Sequence, residues 1–573
     1  MKYVLTILLF WFSQGHSQQI IRANPYYVNQ TTAAPTANSL VTKWVIPSNG
    51  YTLSLNNLSN AGNNYTVNWG DGFSQNGGAS SLSHTYTTAG TYIIFFTGTL
   101  KSVNFANSSE LREITQWGNV GATTFSCATS GLTTISAATS SVFFNSVTSL
   151  IDAFNGSKLT AIPAGLFNSA TSVTSFQRTF FGTTFLTGSI PAGLFDYCTA
   201  VTSFDQTFRN SKISGSIPAG LFDYCPNVTL FSSVFSGCSF LTGSIPSGLF
   251  ANNTAVTSFL GTFVNCSGLT GHIPAGLFAN NTEVTSFASV FQGTNVDSIP
   301  PNLFNNNTLV TTFASAFQSC PNILTIPTGL FNYNINVTTF ASVFQSCTGL
   351  TSLPTNLFFY NTKVNNYSSI FNGCTNIAGA VPLLFGHNVS TTFASAFLNC
   401  SKITAVTSGF FDSCKSVTTF ASTFENNALL NSIPTGLFDS CKLVTTFASA
   451  FYKCGNLAAI PTGLFTNNTL VTSFNSTFNR TGIISIPTGL FSTNTVASDF
   501  TNTFNTCISL TTVPSGLFTN TAATKFDGTF SGGTAITSAV PDLWNTFPSA
   551  THVQCYFNCT SASNYASIPT DWK

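Results

Sequence analysis

Charge is what this chain has least of. Of 573 residues, 17 are Lys or Arg and 16 are Asp or Glu. That is 6% charged, where soluble proteins carry about 25%. The formal net charge is +1, so no basic surface can gather on phosphates, and a nucleic-acid partner is not expected. With only five His, general acid–base chemistry has few candidates. No nucleophile elbow, phosphate loop or zinc-binding helix motif appears. No Cys-x-x-Cys pairs with another such pair, and Cys555, Cys559 and His552 make a weak metal signal. An enzyme is therefore not expected, and neither is a metal or cofactor. No apolar run reaches the roughly 20 residues of a membrane span.

Apolar material is abundant. It makes up 43% of the chain, and 58 residues are Phe. Met1-Lys2-Tyr3 precedes the apolar run Val4 to Phe12, and Gly15-His16-Ser17 supplies small residues for cleavage. Residues 1–17 read as a secretory signal peptide cut after Ser17. No Cys follows the cut and no apolar tail closes the chain, so neither a lipid anchor nor a span is expected. Residues 18–40 are polar and read as a linker.

Residues 41–100 read as a β module. Trp44-Val45-Ile46, Tyr51-x-Leu53-x-Leu55 and Tyr65-x-Val67-x-Trp69 alternate as strands do, with turns at Pro47 to Gly50 and Gly70-Asp71-Gly72. The set Trp69-Gly70-Asp71-Gly72, His84-x-Tyr86 and Gly90-x-Tyr92 resembles the PKD-type β-sandwich, which implies an extracellular spacer or binding module. Asp71 reads as a turn residue accepting backbone N–H bonds, with a calcium ligand as the alternative.

From Ile162-Pro163 onward one unit recurs every 26 to 28 residues. It runs Leu-Thr-x-Ile-Pro-x-Gly-Leu-Phe, a polar Asn/Thr stretch, then Val-Thr-Ser-Phe-Ala-Ser-x-Phe-x-x-Cys. Three Phe columns, such as Phe167, Phe176 and Phe180 with their equivalents, hold most of the Phe. Such a period belongs to leucine-rich-repeat solenoids, whose units must stack to bury a core. Val173, Phe176 and Phe180 lie at i, i+3 and i+7, which predicts a short helix. Leu-Thr-x-Ile predicts a short strand stopped by Pro, and the Gly of Pro-x-Gly predicts a turn. The expected fold class is thus an α/β repeat solenoid, a short strand plus a short helix per unit, over residues 101–573. An all-β sandwich module stands at its amino end.

Leu241-Thr242-Gly243-Ser244-Ile245-Pro246 and Leu269-Thr270-Gly271-His272-Ile273-Pro274 resemble plant-type leucine-rich repeats, without their Leu-x-Leu-x-x-Asn segment. The whole unit more closely resembles BspA-type leucine-rich-repeat surface proteins, including the mycoplasma lipoprotein-related repeats. Val337-Thr338-Thr339-Phe340, Val343-Phe344, Cys347, Leu350 and Leu353 show it, with Phe and Val where that family carries Met. The resemblance implies a secreted or surface-exposed protein acting in adhesion, with no catalytic residues. A structural surface or matrix component without a specific ligand is the alternative. An extracellular protein or glycan is the expected partner. Exposed strand positions Thr187, Ser189, Thr242, Ser244, Thr270, His272, Thr325 and Thr404 are the candidate contact face; Thr also simply suits strands.

The chain has 15 Cys. Cys198 and Cys225, and Cys414 and Cys441, are neighbours in adjacent units. They read either as disulfides suited to an oxidising compartment or as buried free thiols. Asp196, Asp223, Asp412 and Asp439 read as turn residues, with a carboxylate row as the alternative. Sequons at Asn29, Asn64, Asn252, Asn280, Asn306, Asn336 and Asn467 read as glycan sites in a eukaryotic source, or as repeat composition.

Overall fold

The computed structural model describes residues 34–58, 61–78, 81–138, 142–519 and 521–573. The expected signal peptide, most of the expected linker and the Asn29 sequon lie outside the described residues.

Alternating apolar residues build the amino-terminal strands: β1 (Leu40–Ile46), β2 (Tyr51–Leu55), β3 (Asn64–Asn68), β4 (Ser74–Gly77), β5 (Leu82–Tyr86) and β6 (Gly90–Thr99). Next come β7 (Ser102–Asn104), β8 (Leu111–Gln116), β9 (Thr124–Ser126) and β10 (Thr134–Ile135). One six-stranded sheet has the order β10-β8-β1-β6-β3-β4, while β2 pairs with β5 and β7 with β9. Within the sheet, β1 pairs antiparallel with β6 and β8, and β8 pairs parallel with β10. The sheet therefore runs across position 100 and becomes the first rungs of the array. Trp44, Trp69, Tyr86 and Phe96 are fully buried within the same core cluster as the array's Phe.

From residue 142 the chain stacks rung on rung. Isolated parallel bridges join Ser175 to Ser203, Ser203 to Leu230, Leu230 to Ser258 and Ser258 to Ser286, and the series continues to Thr551. This ladder lies on Val-Thr-Ser-Phe, where a helix was expected. A second, sparser ladder lies on Leu-Thr-x-Ile. It includes the parallel pairs β11 (Thr270–His272) with β12 (Asn295–Ser298) and β13 (Gly379–Val381) with β14 (Ile403–Val406).

The expected short helix is absent from the described rungs. The N–H groups of Phe176, Arg178, Phe180 and Gly182 donate across to Ser203, Asp205, Thr207 and Arg209 of the next rung at 2.8–3.0 Å. Those of Thr179, Phe181 and Thr183 close turns onto Phe176, Arg178 and Phe180, three residues back. An α-helix needs bonds four residues back. Arg178 and Gly182 also sit in the left-handed region, at φ 52° and 63°, which no right-handed helix admits. Overlapping turns bury every third residue, and the i, i+3, i+7 spacing fits that pattern as well as a helical face.

The Phe columns fill the interior. Rings stay parallel within a column: Phe180–Phe208 centroids lie 5.4 Å apart at 3°, and Phe208–Phe235 lie 5.8 Å apart at 1°. Between columns they tilt, as Phe195 does on Phe204 at 4.7 Å and 57°. Both are favoured arrangements of aromatic quadrupoles. Among the described residues the one α-helix is α1 (Leu543–Thr546). With Tyr556 and Trp572 it closes the last rung: Trp572 is buried, and Tyr556 stacks on Phe530 at 5.6 Å and 2°.

The turn assignment sets the sign of one substitution. Ser342 is left-handed, at φ 57°, in the column where Gly261 and Gly528 occur. Ser342→Gly is expected to leave stability unchanged or raise it by up to about 1 kcal/mol, because the left-handed penalty of about 1–2 kcal/mol is relieved. Ser342→Val is expected to destabilise. In a helix the Gly variant would lower stability instead. Urea unfolding midpoints of the two variants and the parent chain check this.

Candidate binding surface

Thr187, Ser189, Thr242, Ser244, Thr270, His272 and Thr325 are exposed, and Thr404 is half-buried in β14. All eight lie on the Leu-Thr-x-Ile segment. The bridges Ser189–Ser214, Gly215–Leu241 and Gly243–Leu269 put three of their rungs in sequence, 187–189, 242–244 and 270–272, with 214–216 between the first two. Thr325 and Thr404 stand farther along the same side. The inward neighbours Leu186, Ile190, Leu241, Ile245, Leu269 and Ile273 are buried and anchor the segment.

A longer row escaped the sequence reading. Thr174, Thr202, Thr229, Thr257, Thr285, Thr311 and Thr338 occupy one column, all exposed. Each Oγ1 donates to the carbonyl of the equivalent residue one rung earlier, at 3.0–3.3 Å. The donor hydrogen is thus used and acceptor lone pairs face solvent. The signal was a Thr recurring two residues before the second-column Phe in most units, which the helix assignment hid.

A second ladder was also missed. Asn253, Asn281, Asn307, Asn334 and Asn361 are buried three residues after a column Phe. Asn281 Nδ2 donates to the carbonyls of Phe250 and Asn253, at 3.1 and 2.9 Å, and Asn307 to those of Phe278 and Asn281, at 3.1 and 2.8 Å. An asparagine ladder is therefore present although Leu-x-Leu-x-x-Asn is not. Asn253, Asn281 and Asn307 directly follow the sequon residues Asn252, Asn280 and Asn306, while Asn334 and Asn361 follow Tyr333 and Tyr360.

All fifteen cysteines are buried free thiols. Cys198, Cys225, Cys414 and Cys441 occupy positions of the Asn column, each as a buried thiol. Cys225 Sγ lies 3.7 Å from the Phe195 carbonyl, and Cys441 Sγ lies 3.3 Å from the Cys414 carbonyl. The larger column is tighter: the thiols of Cys238, Cys266, Cys347 and Cys374 donate to Phe208, Phe235, Phe317 and Phe344 at 2.9–3.0 Å. Burial pushes Cys225, Cys238 and Cys400 up to about 12 and Cys320 and Cys507 up to about 11. The proton on each sulfur makes the bond, so the thiols serve the interior and are poor nucleophiles.

The carboxylates do local work. Asp71 Oδ1 accepts from the Phe73 N–H at 3.1 Å, and its Oδ2 lies 2.6 Å from His84 Nε2. His84 is stacked between Trp69 and Phe73. Asp196, Asp223, Asp412 and Asp439 fold over the turn glycines Gly193, Gly220, Gly409 and Gly436, where a Cβ would come within 2.9–3.1 Å of Oδ2. Tyr51 of the β module and Glu110 line a cleft of about 360 Å³. Tyr51 and Ser109 hydroxyls donate to Glu110 Oε1, both at 2.6 Å. Burial raises the Glu110 pKa, but these hydrogen bonds outweigh it and hold the group below the usual range. The Tyr51 phenol is pushed up to about 12, first by its bond to Glu110. Among the described residues no His, Cys, Asp and Glu group suits a metal ion, and no helix is long and apolar enough to cross a membrane.

No protein-family model matches the chain, and no curated protein does. Similar solved structures are leucine-rich-repeat proteins. One from Eubacterium ventriosum is 20% identical over 64% of this chain and 91% of its own, with a TM-score of 0.34. One from Bacteroides ovatus is 14% identical over 62% and 82%, with a TM-score of 0.23. The plant peptide hormone receptor RGFR1, in complex with RGF2, is 14% identical over 78% and 75%, with a TM-score of 0.33. At these scores the likeness carries no statement of function.

The thiol columns predict the response to alkali. Below about pH 8 the thiols keep their protons folded or unfolded. Above it the unfolded thiols ionise first, from an ordinary value of 9.0. The folded state therefore loses stability as pH rises through the window between about 9 and 12, at about 1.4 kcal/mol per pH unit for each thiol. Melting temperature is expected to hold to about pH 8 and fall steeply beyond it. A thiol reagent is expected to find almost no reactive sulfur in the native chain and all fifteen in denaturant.

Proposed function

We propose that the chain is a secreted or surface-exposed adhesion protein that binds an extracellular protein or glycan through its repeat array, and that it is a binding protein, not an enzyme. The β module is then a PKD-like spacer or accessory binding module over residues 41–100, ahead of a BspA-like array over 101–573. The observation that carries this reading is the register of the exposed side chains. Rung stacking repeats the same uncharged groups along a stiff body with a single core, the extended surface that solenoids present to partners. On the proposed face, Thr187, Ser189, Thr242, Ser244, Thr270, His272, Thr325 and Thr404 contact the ligand. Low charge suits a ligand recognised by hydrogen bonds and shape, with little dependence on salt.

One observation favours the structural alternative. The hydroxyls of the Thr174-to-Thr338 column donate to backbone carbonyls of the preceding rung, so that row holds the stack together whether or not it meets a ligand.

Binding of the purified full chain to matrix proteins, cell surfaces and a glycan array tests the proposal. Saturable binding is expected, weakened about tenfold or more by Thr242→Lys with Thr270→Lys. Both positions are exposed, so the melting temperature should barely move. Absence of binding to every ligand class would overturn the adhesion reading in favour of a structural component.

A further inference from the structure

The solvent-exposed tyrosines among the described residues are four: Tyr197, Tyr224, Tyr333 and Tyr360, at 53–58%. All four fall at one repeat position, two residues after a first-column Phe (Phe195, Phe222, Phe331 and Phe358). Every other described Tyr is buried or half-buried. The three rungs between the pairs carry Asn252, Asn280 and Asn306 at that position, all exposed, and the rung after Tyr360 carries exposed His387. Eight successive rungs thus present Tyr, Tyr, Asn, Asn, Asn, Tyr, Tyr, His along one ridge.

Four of the eight ridge side chains are braced by neighbours. Each of them projects from the turn that follows a buried, stacked Phe. The Nδ2 groups of Asn252, Asn280 and Asn306 donate to the carbonyls of Asp223, Ala251 and Ala279, one rung earlier, at 3.2, 2.9 and 2.9 Å. That fixes each amide and leaves its Oδ1 facing outward as an acceptor. Tyr360 is braced edge-on by Phe359 at 5.2 Å. Ile335 and Leu309 widen the apolar surface beside the central rungs, both exposed. No carboxylate or ammonium lies within the ridge itself.

We infer that this ridge binds a neutral, extended polysaccharide, with the tyrosine pairs stacking on sugar faces and the asparagine amides accepting from hydroxyls between them. The inference rests on the binding-protein reading above and names a ligand class and a different face. Three observations favour a polysaccharide over a protein. The Phe beneath the ridge repeat at 5.8–6.2 Å per rung, a regular step that suits a repeating polymer, whereas a folded protein surface has no such period. Its groups are the two that sugars need together, an aromatic face for C–H groups and rigid amides for hydroxyls. None of its eight side chains carries a fixed charge, with the turn carboxylates Asp196 and Asp223 lying beside Tyr197 and Tyr224. Tyr224 and Tyr333 stand four rungs apart, roughly 25 Å at the step of the Phe column beneath them, so a chain of several sugars engages both pairs and gains from bivalency.

The test is binding of the full chain, produced without N-glycosylation, to microcrystalline cellulose, crystalline chitin and a neutral glycan array, with matrix proteins in parallel. Parent chain, Tyr197→Ala with Tyr224→Ala, Tyr333→Ala with Tyr360→Ala, and all four together are compared, along with the four Tyr→Phe changes. The expected result is binding to at least one neutral polysaccharide that persists at about 1 M salt, where the Debye length is near 3 Å. It should weaken about tenfold on loss of either pair, vanish with all four, and survive the Phe changes. Unchanged melting temperatures would show that the exposed substitutions leave the fold intact. Polysaccharide binding that the four-Ala variant retains would overturn the ridge assignment. Binding to proteins alone would overturn the polysaccharide class while leaving the binding-protein reading standing. No binding to anything would overturn both.

Discussion

A rung of this array does not satisfy its own backbone. Overlapping three-residue turns fold each rung tightly and close only alternate N–H groups within it. The others, such as those of Phe176, Arg178, Phe180 and Gly182, point along the axis and bond to the next rung. Buried N–H groups left unpaired are costly, so a rung is stable only between neighbours. The two ends must therefore be closed. At one end the sheet of the β module passes through β1 and β8 into the first rungs. At the other, α1, Tyr556 and Trp572 cover the last Phe pair.

The same demand reaches the side chains, and it explains the composition. Three residues after many of the column Phe stands a small polar group that bonds to the carbonyl of an earlier rung, and after others, as at Val234, Ala316 and Val343, a small apolar one. Thr207 reaches the Phe176 carbonyl at 3.0 Å, Asn281 that of Phe250, and Cys347 that of Phe317. Asn, Thr and Cys satisfy this with one neutral donor in little space. Lys, Arg, Asp or Glu would bring a charge into a Phe-lined interior at a large desolvation cost. The scarcity of charge and the abundance of Asn, Thr and Cys thus share a cause. Free thiols fit such columns because the S–H proton is needed where it is. Stacking then carries the inner register to the outside: whatever residue a repeat position holds is drawn out into a row, as with the Thr column and the Tyr–Asn ridge.

The period, the Phe columns, the turn at Pro-x-Gly and the need to stack were legible because each repeats in the linear sequence with fixed spacing. The helix was misread for a physical reason. Burial at every third residue is common to a helical face and to consecutive turns, and only the left-handed residues Arg178, Ser233 and Ser342 tell them apart. Apart from Gly in some rungs, nothing about those residue types announces the conformation. The asparagine ladder was written in the sequence as Phe-x-x-Asn, but whether Asn252 or Asn253 points inward depends on the turn between them. The candidate face at Thr187 to Thr404 was readable as exposed. The ridge of Tyr197, Tyr224, Tyr333 and Tyr360 was not, because a large aromatic residue in a Phe-rich repeat reads as core.

The linear sequence by itself determined that this is a stack. A unit of 26 to 28 residues with three Phe and almost no charge cannot bury its apolar side alone. It also determined that chemistry by ionisable groups has little material here. Only the tertiary structure decided which backbone groups bond within a rung and which bond between rungs. That choice separates turns from helix, places Asn and Cys inside, and selects the residues that form continuous rows on the surface. The reason is that in a solenoid a side chain's neighbours lie one repeat away in sequence but, as in the Phe column, only 5.4–5.8 Å away in space, so the rows exist only once the rungs are in register.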